Sequence, residues 1–504
     1  MTLAPETPVA ADDGAAAPTF ESLDPGRGTV LASYPVASDE DVAAAVARAK
    51  DAAAWWRAQG FHGRRRVLRA FKGVLARELE DLAEVVHLEN GKPRSDAILE
   101  VALAIDHLEW AAKHAPSVLG PRRVPSGLMA SNQAATLEYQ PLGVVGVIGP
   151  WNYPVFTPMG SIAYALAAGN AVVFKPSEFT PGVGVWLGDA WRRAVPERPD
   201  VLQVVTGLGA TGAALCRSGV DKVAFTGSAP TGRKVMAACA EGLVPVLMEC
   251  GGKDAMIVDD DADVSAAVDA ALWGGMSNAG QTCVGIERVY ATDKVYDRFV
   301  AELAERAAEV RAGSGDDAHY GPITMPSQVG IIERHIADAV ADGGRILTGG
   351  TVTDGVVAPT VIVDVPEHSS AVREETFGPT LTVTKVRTAE EAIERTNATA
   401  YGLAGSIFTA KAKRGMALAR QMRSGMASIN AVNAFSTIPG LPFGGVGESG
   451  FGRIHGADGL REFSRSKAIT RQRFALPIPT TSFRRPPEVT DRLVKVIRFV
   501  HGRK

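Results

Sequence analysis

The chain has 504 residues, of which 46% are hydrophobic and 22% charged, and its formal net charge is -3 at pH 7. This length exceeds what one hydrophobic core organises and predicts two or three domains. The net charge gives no electrostatic case for nucleic acid or an anionic membrane as a partner. The four cysteines lack any C-x-x-C spacing, which argues against a zinc site or a disulfide framework and favours a reducing, cytoplasmic compartment.

The first third of the chain predicts a tail followed by helices. Residues 1–18 are rich in Ala, Pro and Asp and lack the basic start and apolar centre of a signal peptide, so a disordered tail is expected. Ser38 is typical of a helix N-cap and precedes an Ala-rich helix that runs to Trp56. Apolar residues at helical spacing predict one continuous helix over 64–89 and another over 97–114. No run approaches the ~18 apolar residues of a membrane span, so no stable membrane insertion is expected.

From Gly143 onwards, short apolar strands alternate with helices. The predicted strands are 144–148, 171–174, 202–205, 222–225 and 244–248. This repetition predicts an α/β fold with a parallel, doubly wound sheet, whose ligand crevice lies at the carboxyl ends of the strands. The distinctive polar residues and glycine of this region follow those ends, namely Asn152, Lys175, Glu178, Gly227 and Glu249.

A second α/β unit is predicted from Met256 to about Asn430. The stretch from Pro442 to Arg453 is so rich in glycine that no regular structure is expected there. Residues 490–499 predict a short basic amphipathic helix. Such a helix could touch a membrane, but a surface or subunit-contact helix is the favoured interpretation.

Cys283 lies among small polar residues in the stretch 278–285, between two apolar segments. A single cysteine is more often a buried, inert residue, but these neighbours are poor core material, and we interpret Cys283 as a nucleophile. A thiolate that attacks a carbonyl needs donors for the oxyanion and a base. Asn152 can supply an amide N–H group, and Glu249 can act as the base if burial raises its pKa towards neutrality.

Two turns suit a pyrophosphate, and spacing alone leaves both open. Gly207, Gly209 and Gly212 form a literal G-x-G-x-x-G between a strand and a helix. The rival is the strand-to-helix turn at Gly227-Ser228, where a hydroxyl and helix N-terminal N–H groups could hold a phosphate. Lys175 and Glu178 could bind the ribose hydroxyls of an adenosine, although on their own they are more typical of a solvated turn. The run 259–263 is rich in Asp, but it precedes a helix and indicates N-capping, so no metal site is predicted.

Seven motifs taken together resemble the aldehyde dehydrogenase superfamily. In chain order they are Pro150-Trp-Asn152, Lys175-Pro-Ser-Glu178, Phe225-Thr-Gly-Ser228, Glu249-Cys-Gly-Gly-Lys253, Gly280-Gln-Thr-Cys283, Glu375-Thr-Phe-Gly-Pro379 and Pro442-Phe-Gly-Gly445. They stand in the family's order over about residues 20–470, and the separation of 34 positions between Glu249 and Cys283 is also that of the family. Each motif alone is weak, whereas the ordered set is specific.

The resemblance implies a Rossmann-like cofactor domain, an α/β catalytic domain and a small β oligomerisation arm. It assigns the cofactor domain to 19–116 and 139–250, the catalytic domain to 251–445, the arm to 117–138 and 462–480, and a basic C-terminal helix to 487–504. A homodimer or a homotetramer is expected.

The resemblance also implies oxidation of an aldehyde to a carboxylic acid with NAD, with NADP as the alternative. Cys283 would attack the aldehyde, Asn152 and the Cys283 backbone N–H would stabilise the oxyanion, and Glu249 would activate the water that hydrolyses the thioacyl enzyme. The implied cofactor contacts are Trp151, Lys175, Ser177, Glu178, Gly227, Ser228, Glu375 and Phe377. In this family the phosphate turn is the one at Gly227-Ser228.

Three departures from the family pattern bear on the subgroup. Cys250 replaces a leucine, and Ile454 stands where some members have a second proton-relay carboxylate. His455-Gly resembles the branch that acts on fatty and aromatic aldehydes. Two other functions stay in competition: a CoA-acylating or reductive enzyme of the same fold, which Glu249 disfavours, and a non-catalytic homologue, which the presence of both nucleophile and base disfavours.

Overall fold

The computed structural model describes residues 18–315, 317–475 and 482–502. The predicted N-terminal tail lies outside these residues except for Pro18, and part of the predicted arm, at 476–480, lies outside them too.

The described residues fold into two compact units. The smaller unit comprises Leu119–Gln140 and the described residues from Arg465 onwards, and the larger unit comprises the remainder up to Ser464.

The strands are numbered in chain order. They are β1 (Thr19–Leu23), β2 (Val30–Pro35), β3 (Arg122–Val124), β4 (Gln133–Pro141), β5 (Val144–Ile148), β6 (Ala171–Lys175), β7 (Leu202–Val204), β8 (Lys222–Gly227), β9 (Val246–Cys250), β10 (Asp254–Val258), β11 (Ile286–Thr292), β12 (Arg345–Thr348), β13 (Val352–Thr353), β14 (Val356–Val357), β15 (Thr360–Val363), β16 (Thr380–Val386), β17 (Gly405–Phe408), β18 (Ser428–Ile429), β19 (Gly450–Phe451) and β20 (Ser464–Gln472).

The helices are numbered in the same way. They are α1 (Asp39–Ala58), α2 (Gly60–Arg77), α3 (Leu79–Asn90), α4 (Arg94–Leu119), α5 (Phe156–Ala168), α6 (Pro181–Ala194), α7 (Gly209–Arg217), α8 (Ala229–Ala240), α9 (Val264–Met276), α10 (Asp293–Ala308), α11 (Pro326–Ala341), α12 (Ser370–Arg373), α13 (Ala389–Thr396), α14 (Ala412–Ala419), α15 (Gly456–Glu462) and α16 (Pro487–His501). Among the described residues, none of the helices is both long enough and apolar enough to cross a lipid bilayer.

The first large sheet has the strand order β19-β9-β8-β5-β6-β7. Five of its strands, β9, β8, β5, β6 and β7, run parallel to one another, as the alternation of apolar strands and helices predicts. Residues of α1, α7 and α8 share one hydrophobic core with these strands. The parallel, doubly wound α/β prediction is therefore confirmed, and the carboxyl ends of the strands meet along one edge.

The second large sheet has the order β12-β15-β16-β11-β10-β17-β18 and is parallel except for the β12–β15 pair. Helices α9, α10 and α11 supply much of the core that covers it. Both large sheets belong to the larger unit, and β9 leads almost directly into β10, so the two sheets are joined close to Glu249.

The N-terminal helices match the predicted pattern in one place and differ in another. Ser38 caps α1: its hydroxyl accepts from the Asp41 N–H, and the Asp41 carboxylate accepts from the Ser38 N–H. The single helix predicted over 64–89 is wrong, because the chain leaves helical geometry at Glu78 and forms α2 and α3 instead. The apolar stripe continues across the break, so periodicity does not reveal it.

The glycine-rich stretch before α15 contains regular structure, contrary to the prediction. β19 pairs antiparallel with β9, and Gly450 lies opposite Glu249 in this ladder. Gly450 has a φ of 99°, and a Cβ there would overlap the Met248 carbonyl. Glycine therefore allows this short strand to approach β9, and the pairing supports the strand that carries Glu249.

The smaller unit contains a three-stranded sheet of order β20-β4-β3, followed by α16. β3 pairs antiparallel with β4, and both β3 and β20 are edge strands whose residues are almost all exposed. Edge strands of this kind present unpaired backbone groups along their outer side.

Candidate active site

Cys283 lies in the loop between α9 and β11, just after a 3-10 turn at Ser277–Gly280. Three successive residues of this turn, 278–280, have positive φ angles of 53°, 56° and 69°. Left-handed backbone is unfavourable for residues with a Cβ and persists where the surroundings impose it, often at functional sites. A Cβ on Gly280 would overlap the carbonyl of Gly378, so glycine lets the loop lie directly against that segment.

Asn152 follows β5 and is buried beside this loop. Its Nδ2 donates a hydrogen bond of 2.9 Å to the carbonyl of Gln281, two residues before Cys283. Its own backbone carbonyl accepts hydrogen bonds from Asn278 Nδ2 at 3.0 Å and from Lys92 Nζ at 2.8 Å. Because an amide NH₂ carries two donors, one N–H of Asn152 is left for a ligand. The structure thus brings the predicted oxyanion donor to the predicted nucleophile.

The surroundings of the Cys283 thiol disfavour its ionisation. Burial raises its pKa above the usual range, and the neighbouring carboxylates, led by Glu249, raise it further. The backbone N–H of Val284 opposes this rise only in part. A thiol in such surroundings attacks a carbonyl only if a base takes its proton.

Glu249 lies near the carboxyl end of β9 and is 3% exposed. Neither of its carboxylate oxygens has a hydrogen-bond partner among the described residues. Its pKa is raised well above the usual range by burial; Arg453 opposes the rise and Glu462 adds to it. The Gly444 Cα approaches so closely that a Cβ there would lie 2.7 Å from Glu249 Oε1. A buried carboxyl group whose pKa is raised in this way is suited to act as a general base.

Two cavities meet at Cys283 and Glu249. The larger one has a volume of about 280 Å³ and a mostly apolar wall. The smaller one has a volume of about 110 Å³ and lies towards Asn152 and Glu375. Cys283, Glu249, Thr226 and Cys250 line both cavities. A reactant in the larger cavity and a second molecule in the smaller one would therefore both reach the Cys283 sulfur.

The smaller cavity gathers most of the predicted cofactor residues. It is lined by Trp151, Gly227, Ser228, Glu375 and Phe377. The Trp151 and Phe377 rings pack edge to face with their centroids 5.5 Å apart. Phe377 itself has a positive φ of 51°, a backbone conformation that is unfavourable for a residue with a Cβ.

Glu375 is held in this cavity by a pair of glycines. Its Oε1 accepts a hydrogen bond of 2.9 Å from the Gly252 N–H, and a Cβ on Gly251 would overlap the carboxylate. Burial raises the pKa of Glu375 to about 8, with Glu287 adding to the rise and the Gly252 N–H opposing it. The carboxylate therefore stands free to accept hydrogen bonds from a ligand but is costly to ionise while it stays dry.

The two candidate phosphate turns differ in the structure. Ser228 is the N-cap residue of α8, and it lines the smaller cavity together with Gly227. In the rival turn, Gly209 and Gly212 lie inside α7, and none of its three glycines lines either cavity at Cys283. The geometry thus places the helix N-terminus of α8, rather than that of α7, beside the nucleophile.

Lys175, Ser177 and Glu178 lie one strand away, at the carboxyl end of β6. Lys175 is buried, pairs in register with Ile148 of β5, and forms an ion pair of 3.3 Å with Glu178. The Lys175 carbonyl accepts a hydrogen bond from the Gly149 N–H, which ties this end to the turn that carries Asn152. These three residues do not line the two cavities at Cys283, and they lie beside them along the same sheet edge.

Comparisons with known proteins agree with this geometry. The family model described as the aldehyde dehydrogenase family matches residues 12–469. The chain belongs to this family. A 4,4'-diapolycopene aldehyde oxidase from Methylomonas sp is 37% identical over 488 residues, covering 96% of this chain and 92% of that protein. A betaine aldehyde dehydrogenase from Cereibacter sphaeroides is 40% identical, covering 88% of this chain and 92% of that protein. The crystal structure of lactaldehyde dehydrogenase from Escherichia coli has a TM-score of 0.87 at 31% identity, covering 90% of this chain and 96% of that one.

The protein is accordingly an aldehyde dehydrogenase, an oxidoreductase that oxidises an aldehyde with NAD(P). This confirms the resemblance, the fold class and the reaction class that the ordered motifs predict.

The aldehyde dehydrogenase site contains a buried ion pair that the sequence analysis missed. Lys92 Nζ lies 2.6 Å from Glu100 Oε2, and both side chains are inaccessible to solvent. The other Glu100 oxygen accepts from the backbone N–H groups of Val155 and Phe156, at the start of α5. The local sequence around Lys92 gives only a helix stop signal, since the contact with Asn152 joins residues 60 positions apart.

A second buried pair holds the segment that carries Glu375 and Phe377. Lys253 forms an ion pair with Glu287, and the Glu287 carboxylate accepts from the backbone N–H groups of Thr376 and Phe377. Neither residue was singled out for this role in the sequence analysis, although Lys253 closes one of the seven motifs. The pair fixes the glutamate and the ring of the smaller cavity to the second large sheet.

Proposed function

We propose that this aldehyde dehydrogenase works through an acyl-enzyme on Cys283 that is hydrolysed by water. The observation that carries the proposal is that Cys283 and Glu249 line both cavities at once. A nucleophile at such a junction faces a substrate on one side and a cofactor on the other, and the base reaches the same point.

The first half-reaction joins Cys283 to the aldehyde. The Cys283 sulfur forms a bond to the aldehyde carbon, and the thiol proton leaves through water to the solvent, so that Glu249 stays available as a base for the second half-reaction. The free N–H of Asn152 and the Cys283 backbone N–H stabilise the negative charge that develops on the aldehyde oxygen. Bound NAD(P)⁺ supplies the acceptor for the hydride that leaves the same carbon.

The second half-reaction releases the acid. Glu249 takes a proton from a water molecule as the water oxygen attacks the thioester carbon. The carbon–sulfur bond then breaks, the carboxylic acid leaves, and Glu249 returns the proton it took from water to the sulfur. Both oxygens of Glu249 lack a hydrogen-bond partner among the described residues, which supports this role because such a buried carboxylate is free to bind water.

The smaller cavity fits a nicotinamide nucleotide. Because Gly251 has no side chain, the Glu375 carboxylate fits beside it. There it can accept hydrogen bonds from the hydroxyls of a nicotinamide ribose. Phe377 and Trp151 offer ring surfaces beside it, and Ser228 at the start of α8 offers donors for a phosphate. Removal of the residues that shape this cradle is expected to weaken cofactor binding even where no aldehyde is present.

We propose NAD as the preferred cofactor. Glu178, paired with Lys175, can accept a hydrogen bond from a free ribose 2'-hydroxyl, but its charge would repel a 2'-phosphate. Glu178→Gln should narrow the difference in kcat/KM between NAD and NADP. An unchanged ratio would show that Glu178 does not contact this hydroxyl.

We propose that the substrate is an apolar aldehyde, aliphatic or aromatic. The wall of the larger cavity includes Leu99, Leu103, Phe156, Trp273, Val432 and Phe443. A cationic substrate such as betaine aldehyde finds less support, because the face of Tyr153 is covered by the Lys92 ammonium 3.9 Å from the ring centroid. The apolar wall accords with the name of the diapolycopene aldehyde oxidase relative.

We propose further that the smaller unit acts as an oligomerisation arm in a homodimer or homotetramer. The exposed edge strands β3 and β20 support this, since edges are commonly covered by pairing.

We also propose a reducing, cytoplasmic compartment, which the four free cysteines support.

One experiment tests the reaction. Wild-type protein is incubated with NAD and a panel of hexanal, benzaldehyde and betaine aldehyde, and the formation of NADH and of acid is followed. We expect acid and NADH in equal amounts with the two apolar aldehydes, with no need for CoA. Acyl-CoA that forms only when CoA is added would favour the CoA-acylating alternative, and cofactor binding without turnover of any aldehyde would favour a non-catalytic homologue.

A further inference from the structure

The C-terminal helix α16 leaves an aliphatic face exposed. Val489, Leu493, Val496, Ile497 and Val500 recur at intervals of three and four residues and therefore share one side of the helix. Only Val489 is buried, whereas Val496, Ile497 and Val500 are 43%, 39% and 44% exposed. Most of this aliphatic face is thus uncovered by the described residues.

Outside this face the helix carries basic residues together with the exposed side chains of Val494 and Phe499. Arg492, Lys495 and Arg498 are exposed, and among the described residues none of the three forms an ion pair within 4.0 Å. The acidic residues of the helix, Glu488 and Asp491, stand in its first two turns, near the N-terminus where a helix favours negative charge. Beyond Asp491 the helix therefore carries only positive charge, although the whole chain has a formal net charge of -3.

The residues just before the helix extend the same pattern. Phe483 is fully exposed, and the basic Arg484 follows it. An aromatic ring beside a cationic, amphipathic helix suits the headgroup level of a bilayer.

We propose that α16, together with Phe483 and Arg484, binds reversibly to membrane surfaces that contain anionic lipids. The helix lies parallel to the surface, its aliphatic face enters the boundary between headgroups and acyl chains, and its basic face meets the lipid phosphates. Charge complementarity selects this occupant. An anionic bilayer offers acyl chains to the aliphatic face and negatively charged headgroups to the basic residues along the whole helix. Such binding does not require a complementary protein surface.

Binding of this kind would bring the enzyme to where apolar aldehydes accumulate. This consequence rests on the apolar substrate proposed above, whereas the membrane contact itself does not. A single helix with a short aliphatic face gives weak binding that depends on salt, because the charged part of the attraction is screened.

The test uses the full-length protein and sedimentation with phosphatidylcholine vesicles, with or without phosphatidylglycerol. We expect binding to the vesicles that contain phosphatidylglycerol, a lower bound fraction as salt is raised, and little binding to pure phosphatidylcholine. Absence of binding to the anionic vesicles at low salt overturns the proposal.

Two helix variants and one matched control locate the contact. Lys495→Glu/Arg498→Glu should weaken vesicle affinity at least ~10-fold, since each cation near an anionic surface contributes appreciably. Val496→Asp should weaken it through the aliphatic face. Arg66→Glu/Lys113→Glu makes the same change in net charge on exposed helix residues of the larger unit and should leave binding unchanged. Equal weakening by this control overturns the assignment to α16.

Turnover of hexanal and the mass from light scattering accompany each variant. Unchanged turnover shows that the variant is folded. It also shows that membrane binding by α16 and the reaction proposed for Cys283 are tested independently of each other. If a helix variant changes the oligomeric mass while the wild type binds no vesicles, then α16 serves a second copy of the chain, and the membrane proposal is wrong.

Discussion

Lys92 donates a hydrogen bond of 2.8 Å to the backbone carbonyl of Asn152 from a side chain that is inaccessible to solvent. The same ammonium group forms an ion pair with Glu100 and lies over the Tyr153 ring. The Lys92–Glu100 ion pair thus helps to position Asn152, whose side-chain amide is proposed to stabilise the oxyanion. Buried pairs of this kind add little net stability, but loss of one partner is strongly destabilising.

We expect Lys92→Met to lower both stability and turnover. The variant leaves the buried Glu100 carboxylate without its cation and should reduce the free energy of unfolding by roughly 3–5 kcal/mol. It also releases the Asn152 carbonyl, and a small displacement of the amide should lower kcat by about 100-fold. Denaturant unfolding and steady-state kinetics measure the two effects.

The double variant Lys92→Met/Glu100→Gln separates them. A glutamine at position 100 can still accept the N–H groups of Val155 and Phe156, and it removes the unpaired charge, so stability should largely return. The low kcat should remain, with the KM for NAD near that of the wild type. Recovery of kcat together with stability would contradict a positioning role for Lys92.

Cys283→Ala should abolish aldehyde oxidation. Loss of the attacking sulfur is expected to lower kcat by at least about 10⁴-fold while leaving NAD affinity near wild type. Cys250→Ala is the matched control, because Cys250 lines the same two cavities. NADH formation with hexanal and cofactor titration check both variants. Retained turnover in Cys283→Ala, or equal loss in both, would be incompatible with the nucleophile assignment.

Glu249→Gln should slow deacylation more than acylation. Glutamine cannot take a proton from the hydrolytic water, so the acyl-enzyme should accumulate after the first hydride transfer. Stopped-flow absorbance is expected to show a burst of NADH that is stoichiometric with active sites, followed by a slow steady state. If both phases fall by the same factor, the glutamate acts elsewhere in the reaction.

The sequence motifs single out the proposed reacting groups because each lies at a strand end or in a loop with a distinctive local pattern. Asn152, Glu249 and Cys283 could therefore be proposed without the structure. Lys92 and Glu100 could not, since their importance comes from contacts between distant segments and their local sequence is that of an ordinary helix boundary. The same limit explains the wrongly predicted single helix, because the break at Glu78 does not interrupt the apolar stripe.

The two glycine-rich turns illustrate a second limit. Both have the spacing of a strand-to-helix phosphate turn, and only the fold shows which of them opens onto the cavity at Cys283. Similarly, the Gly444–Gly452 region has too few side chains for a periodicity, yet its backbone lies against the Glu249 carboxylate. Local patterns do not report close approach of backbone from another part of the chain.

Glycine replacements should distinguish the two turns and test the cofactor cradle. A Cβ on Gly251 would overlap the Glu375 carboxylate, so Gly251→Ala should raise the Kd for NAD at least ~10-fold, which corresponds to about 1.4 kcal/mol of lost binding energy. Gly209→Ala is the control, since it meets no atom within 4 Å and replaces a glycine inside α7. Fluorescence titration with NAD measures both. If Gly209→Ala weakens NAD binding and Gly251→Ala does not, the cofactor lies at the turn of Gly207, Gly209 and Gly212.

The pH dependence of deacylation should respond to Glu462. Its carboxylate forms an ion pair of 2.5 Å with Lys222 and raises the pKa of Glu249, while Arg453 lowers that pKa. Glu462→Gln removes the repulsion between the two carboxylates, so Glu249 should lose its proton at a lower pH. Because the proposed base is active only when deprotonated, the acid side of the kcat–pH profile should shift to lower pH. Asp458 and Glu462 line the same surface groove. Asp458→Asn, the matched control, should leave the kcat–pH profile unchanged. A shift to higher pH, or an equal shift in both variants, would show that the profile does not report the ionisation of Glu249.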